Sequence, residues 1–392
     1  MSFQNKKFSI IGIDATNIRA GGGVTHLVEL LNQANPELHS FNKIYIWGPL
    51  STLNLINDKK FIYKLNPKSS EKGLLRRTFW QIFRLSIAAR KQKCSVLFVP
   101  GGSYSGNFFP VVAMSQNLLP FELMELKRFG ISFLTFKLIL LRLTQSSSFK
   151  KADGLIFLTD YASKTVTKVI KEFNGLSKII PHGLNPRFNR KPKHQKDIAE
   201  YSKLEPYRII YVSIIDQYKH QCNVIEAVYD LRAQGMPIIL DLIGPAYTPA
   251  LKKMNIKINQ LDKEGDFINY YGSVPFEELH NYYAKADMGL FASSCENMPN
   301  ILLETMSSGL PVASSDKGPM PEMLKEYGIY FDPLEPKSIS KAILTLIKSP
   351  SLRYELAEKS YKESQQYSWM RCANETFSFI HQIEAMTKST LK

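Results

Sequence analysis

Two glutamates eight positions apart, Glu296 and Glu304, lie in the stretch FASSCENMPNILLETMSSGLPVASS that begins at Phe291. A positioned carboxylate accepts hydrogen bonds from hydroxyl groups and favours positive charge developing at a nearby carbon. Spacing alone does not single this pair out. The same separation recurs at Glu29/Glu37 and Glu355/Glu363, where solvated helix residues account for it. Context makes the difference. A short apolar strand ends near Phe291, a loop carries Glu296, and a helix expected from about Pro299 carries Glu304. Gly309 stops that helix, and a second strand follows over 311–314. Glu296 is thereby placed at a strand's carboxyl end, where open α/β sheets bind ligands. Asn297, Met298, Pro299 and Asn300 then open the helix. Pro299 suits a first turn, which needs no N–H from it, and the unpaired amides of that turn are suited to holding a diphosphate.

The elements that must position these residues alternate along the chain. Strand-like segments fall at 8–14, 43–47, 95–100, 111–115, 154–159 and 178–180, with helical patterns near 24–34, 74–92, 131–143 and 161–173. Such interleaving predicts βαβ units and a parallel sheet. The stretch 181–206, rich in Pro, Gly and charge, breaks the rhythm and reads as a linker. A second alternation follows, with strands at 208–213, 237–244, 267–272 and 289–293 and a helix over 221–234. At 392 residues the chain is long enough for two cores. The expected domains are 1–186 and 187–370, with a helical tail over 371–392.

The segment from Phe291 to Glu322 resembles the nucleotide-binding signature of the retaining GT-B glycosyltransferases of family 4, the glycosyl transferases group 1. The likeness runs along nearly the whole chain and is strongest over 208–335. It implies two Rossmann-like, doubly wound domains facing a cleft, with a last helix crossing back to the first domain. By this resemblance Glu296 lies beside the transferred sugar and Glu304 holds the ribose hydroxyls of the nucleotide. Asn297 to Asn300 contribute to the donor site, and the Ser273–Val274 backbone reads the base. In YVSIIDQYKHQCNVIEA (211–227), Lys219 matches the family lysine that neutralises the leaving phosphate. Ile214 stands where the family commonly has an arginine. Glu322 and His182 also match family positions, with structural or hinge roles expected.

In the first half, GGGV (21–24) follows the first strand and opens a helix. Gly22 and Gly23 permit a tight turn and close ligand approach; in the resembled family this loop contacts donor phosphate or acceptor, and Arg19 could add a phosphate contact. In AMSQNLLPFE (113–122), Gln116 and Asn117 replace the family's His-Asp pair on the acceptor or sugar side. An amide hydrogen-bonds a hydroxyl but takes up no proton near neutral pH. The resemblance therefore implies front-face chemistry in which the departing phosphate helps to deprotonate the acceptor. No D-x-D occurs in the sequence, so no metal and no cofactor are expected.

Charge supplies the remaining expectations. The formal net charge is +15, and residues 1–190 carry 27 Lys and Arg against 10 Asp and Glu. Such asymmetry points to an anionic partner for the first half. No nucleic-acid module is recognisable, which leaves an anionic membrane surface. EKGLLRRTFWQIFRLSIAARKQK (71–93) and KRFGISFLTFKLILLRL (127–143) both read as basic, apolar amphipathic helices. The four scattered cysteines fit a reducing compartment. The expected activity is transfer of a hexose-type sugar from a nucleotide sugar to a lipid-linked oligosaccharide. The expected place is the inner face of the cytoplasmic membrane, with peripheral attachment. Rival readings are a nucleotide-sugar epimerase on the same fold and a non-catalytic nucleotide-sugar-binding homologue.

Overall fold

The structure is a computed structural model that describes residues 8–390. The chain divides into two compact units. Among the described residues, one comprises 8–126, 131–183 and 367–390, the other 127–130 and 184–366. The chain thus enters the second unit after Gly183 and returns to the first at Tyr367.

The first unit is built on seven strands: β1 (Ser9–Asp14), β2 (Phe41–Trp47), β3 (Ile62–Leu65), β4 (Val96–Val99), β5 (Val111–Met114), β6 (Gly154–Phe157) and β7 (Leu176–Ile179). Their order is β3-β2-β1-β4-β5-β6-β7 and every pairing is parallel. β4, β5 and β6 are buried along their whole length. This explains why they read as continuous apolar runs, as strands covered on both faces do. The order reverses between β1 and β4, so the carboxyl ends of these neighbours flank a switch point. The C-terminal helix Trp369–Thr390 packs in this unit, where its Phe379 and Ile383 press on Gly154 of β6.

The second unit has six strands: β8 (Tyr207–Val212), β9 (Ile238–Ile243), β10 (Ile268–Tyr270), β11 (Met288–Phe291), β12 (Val312–Ser315) and β13 (Ile329–Phe331). They are again all parallel, in the order β10-β9-β8-β11-β12-β13. The switch point lies between β8 and β11. Gly289 in β11 is required by packing: a Cβ there would meet Thr305 Cγ2 at 2.0 Å. Helix Asn300–Ser307 can therefore lie close on the sheet only because this position is bare. Gly309, at φ 68°, ends that helix in the left-handed conformation glycine adopts without strain.

Candidate active site

At the second unit's switch point the two residues expected to carry chemistry meet. β8 leads through Ser213–Asp216 into a single turn, Gln217–Lys219, and then into helix Gln221–Ala233. β11 leads into the loop bearing Glu296. Lys219 Nζ forms an ion pair with Glu296 Oε1, their side chains only 8% and 16% exposed. The two neighbouring strands end side by side, so residues 77 positions apart converge.

Several bonds fix this geometry. The Tyr211 hydroxyl donates to the Lys219 carbonyl at 2.8 Å, and the Ser294 amide donates to the Tyr218 carbonyl at 2.8 Å. A 2.8 Å hydrogen bond between His220 Nε2 and Ser294 Oγ joins the two loops a second time. The rings of Tyr218 and Phe291 lie 5.1 and 5.3 Å from the ammonium and cover it from water. His220 adopts φ 53° at the turn into the helix, which lets the lysine point back over the strand ends.

Glu304 lies eight residues beyond Glu296 on helix Asn300–Ser307 and is buried. Among the described residues its Oε2 finds no hydrogen-bond partner. One turn earlier on the same helix, Asn300 Oδ1 is also buried without one. Residues at i and i+4 share a helix face, so two orphaned acceptors line one side of this helix. A buried acceptor without a partner is unfavourable by ~1–3 kcal/mol, which a ligand carrying hydroxyl or amide donors would relieve. Burial pushes the Glu304 carboxyl up to about 8, and the charge of Arg187 only partly opposes it. Pro299 sits at the N-cap, one position before the expected first turn, and offers no side-chain cap to the amides that follow. Asn297 and Met298 are buried beside it.

Residues 193–363 match the family described as glycosyl transferases group 1. That match lies within the second unit, and the whole chain has the GT-B fold. The O-antigen chain mannosyltransferase B of Escherichia coli is 33% identical over 116 residues, 30% of each chain. The match therefore spans less than a third of that enzyme's length. Among solved structures, sucrose-phosphate synthase from Thermosynechococcus elongatus has a TM-score of 0.75 at 17% identity, over 96% of this chain and all of that one. Anabaena HepE, solved in complex with UDP, has a TM-score of 0.67 at 15% identity, over 98% of this chain and all of that one.

In the matched unit the structure leaves Ser273 exposed and packs Val274 against the Phe188 core, after a turn with Gly272 at φ 66°. Ile214 is partly exposed and contributes no charge. Arg187, Tyr218, His220 and Ser294 were not picked out from the sequence. Only their place beside Lys219, Glu296 or Glu304 marks them, and no short pattern encodes it. Glu322 and Arg187 lie on the helix Met320–Leu324 and the turn Pro186–Phe188.

The first unit gathers a different set at its own switch point. A Cβ on Gly23 would come within 2.8 Å of Gln116 Oε1, so the glycine turn and the amide after β5 are neighbours. Gly22 has open space around it. Asn117 is exposed, with Oδ1 accepting from the Leu119 amide at 3.1 Å. Arg19 is exposed and donates to the Ser70 carbonyl at 2.8 Å. His182 forms a buried 2.8 Å contact with His26 through their Nδ1 atoms, beside Trp369. Burial holds both rings neutral by depressing their basicity. Asp14, at the end of β1, accepts from Thr16 Oγ1 at 2.6 Å and Gln81 Nε2 at 2.6 Å. It is a satisfied, buried carboxyl that braces the loop.

Proposed function

We propose that the chain is a retaining, metal-independent glycosyltransferase. It moves a hexose-type sugar from a nucleoside-diphosphate donor to a lipid-linked glycan at the inner face of the cytoplasmic membrane, in synthesis of a bacterial surface polysaccharide. The observation that carries this reading is the Lys219–Glu296 pair at the strand ends, with the orphaned Glu304 on the adjoining helix. Relatives named for O-antigen and amylovoran synthesis support the class of product. A fold neighbour solved with UDP and glucose supports the donor class.

The chemistry follows from the charges. Lys219 moves from Glu296 to the donor's β-phosphate, or bridges both, and stabilises the negative charge that builds there as the sugar leaves. The bond from the anomeric carbon to the phosphate oxygen breaks, its electron pair staying with the phosphate. Glu296 faces the positive charge that develops on the sugar. The acceptor hydroxyl attacks from the side the phosphate leaves and passes its proton to that phosphate. Glu304, protonated on one oxygen, donates to one ribose hydroxyl and accepts from the other. Gln116 and the Gly23 turn are assigned to the acceptor or sugar side.

Peripheral attachment is supported by exposed apolar side chains on basic helices of the first unit, among them Phe79, Phe83, Phe133 and Phe136. Among the described residues no helix is long and apolar enough to cross a membrane.

Thermal stabilisation by GDP, UDP, dTDP, CDP and ADP, with EDTA throughout, tests the donor site. A selective shift by one diphosphate is expected, and Glu304→Ala should abolish it. No shift in EDTA that appears on adding magnesium would sink the metal-independent reading. An epimerase would convert the donor with no acceptor present, which a donor-only incubation detects.

A further inference from the structure

The first unit carries a cavity that the transfer chemistry does not use. It lies on the long helix that runs from Leu74–Trp80 through a π-helical turn, Gln81–Leu85, into Ser86–Lys91. Its volume is about 510 Å³. Leu75, Phe79 and Trp80 form an apolar floor, and Lys72, Arg76 and Arg84 surround it. No carboxylate lines it. The nearest in sequence, Glu71, is engaged with the Leu50 amide and Asn66 Nδ2, each at 2.7 Å. Among the described residues, none of the three cations forms an ion pair.

Such a site is unfavourable when empty. Three like charges crowd one opening, and Leu75 and Phe79 are 86% and 59% exposed. Phe83 and Ile87 continue the exposed apolar stripe along the same helix. A group that answers both features has a compact negative charge joined to a long apolar tail. Arginine suits phosphate because its planar fork donates two parallel hydrogen bonds.

The cavity is also tied to the loop after β1. Ser69 lines it, and the Arg19 guanidinium donates to the carbonyl of the next residue, Ser70, at 2.8 Å. Gln81, which follows Trp80, donates to Asp14 and, at 3.2 Å, to Thr16 Oγ1, while Asn17 Nδ2 donates to Gln81 Oε1 at 3.3 Å. Residues 14–19 are thus fastened to both sides of the opening, and the same loop continues into the Gly22–Gly23 turn beside Gln116. Gln81 thereby anchors the middle of this helix at the carboxyl end of β1.

We propose that this cavity holds the phosphate joining an acceptor glycan to its lipid, with the lipid tail lying along Leu75, Phe79, Phe83 and Ile87. The inference rests on the acceptor reading given above and adds a defined site to it. A concave, one-molecule opening with three converging cations selects a single lipid phosphate. A flat layer of headgroups would need no cavity. The site sets how far the reacting sugar stands from the lipid, since the phosphate is seated beside the loop that leads to Gly23 and Gln116.

Trp80 makes the test direct. The chain has three tryptophans, and Trp47 and Trp369 are only 3% and 6% exposed. Quenching by a bromine-labelled alkyl chain therefore reports on the cavity. Full-length protein is titrated with a chain-brominated dodecyl phosphate below its micelle-forming concentration, and with the equally brominated dodecanol. Saturable quenching by the phosphate alone is expected. The double variant Arg76→Gln/Arg84→Gln should weaken it by about tenfold for each arginine removed, as the loss of charged hydrogen bonds predicts. Lys72→Gln is a milder check, expected to weaken it by a few-fold. Equal quenching by the alcohol, unchanged binding in the double variant, or quenching only by brominated phosphatidylglycerol vesicles would each overturn the proposal. Stabilisation by nucleoside diphosphates in the same variant separates the two readings. It stays if only the lipid site is wrong, and it is absent from the parent protein if the donor reading is wrong.

Discussion

The two units present their sheets' carboxyl ends in opposite chemical states. In the second unit the polar groups are buried and preset. Lys219 and Glu296 pair under the rings of Tyr218 and Phe291, and Glu304 holds an unpartnered oxygen in the protein interior. In the first unit the buried polar groups at the end of β1, Asp14, Thr16 and Gln81, satisfy one another. Its surface instead offers exposed apolar side chains such as Leu75 and Phe79 among the cations Lys72, Arg76 and Arg84. A preset, water-excluded charge pair suits a small polar ligand whose charge changes during reaction. An open apolar and basic face suits an amphiphile or a surface. Under the proposed function, the same architecture, used twice, serves the two ends of a transfer reaction.

The sharpest way to break this contrast is to remove the charge from the buried side. Lys219→Ala leaves Glu296 without its cation and the leaving phosphate without its counter-charge. Turnover should fall by about 10²–10³-fold, as for loss of a preorganised charge-stabilising donor. Gln116→Ala, at the first unit's strand ends, removes one neutral hydrogen bond and should lower turnover by about tenfold or less. Comparable losses in steady-state assays of the two variants would mean that the sites are not specialised as described.

Next in size is the nucleotide end. Glu304→Ala should weaken nucleoside-diphosphate binding by about 10- to 100-fold, the effect of two lost hydrogen bonds from a buried carboxyl. Glu304→Gln, which keeps one donor and one acceptor, should lose less. Calorimetric titration of both variants gives the ratio. If the alanine variant binds as the parent does, the orphaned oxygen serves no nucleotide.

A smaller effect is expected on the open side. Phe79→Ser/Phe83→Ser should reduce binding to vesicles containing phosphatidylglycerol by about tenfold or more, given the apolar area withdrawn from water. Nucleotide stabilisation should stay as it was. Vesicle co-sedimentation measures the first and thermal scanning the second, and a variant that loses both would show that the two faces are coupled through folding.

The same division explains what the sequence made legible. The α/β class was readable because the strands are buried apolar runs with helices between them, a local signal, and the resemblance of 291–322 to a known signature narrowed it to GT-B. Glu296 and Glu304 stood out because strand, loop and helix signals enclose them within one short segment. β3 and β13 carry too little signal to read: IYKL and IYF are edge strands of four and three residues, too short to set up a pattern. Helix Thr248–Leu261 carries three lysines and two asparagines and buries only Ala250 and Met254. What the sequence could not show is long-range placement. Nothing near Arg187 reveals that its charge acts on Glu304, more than a hundred positions away. The π turn that sets Gln81 against Asp14 while Arg84 lines the cavity depends on a helix register that composition does not disclose.

The finest prediction uses pH to compare a satisfied carboxylate with an unsatisfied one. Glu304 is raised from an ordinary value of 4.5 to about 8 by burial, so between those values the folded protein binds a proton that the unfolded chain has released. Folding stability contributed at this site is then unaffected below 4.5 and is lost progressively as pH rises through 8. Glu304→Gln cannot ionise, so the parent should lose a few degrees of melting temperature relative to that variant between pH 5 and 9. The Lys219–Glu296 pair is present in both proteins and cancels in the comparison. Melting curves of the parent and of Glu304→Gln across that range decide the matter. A difference that stays flat would mean that the charge of Arg187 offsets the burial of Glu304 fully.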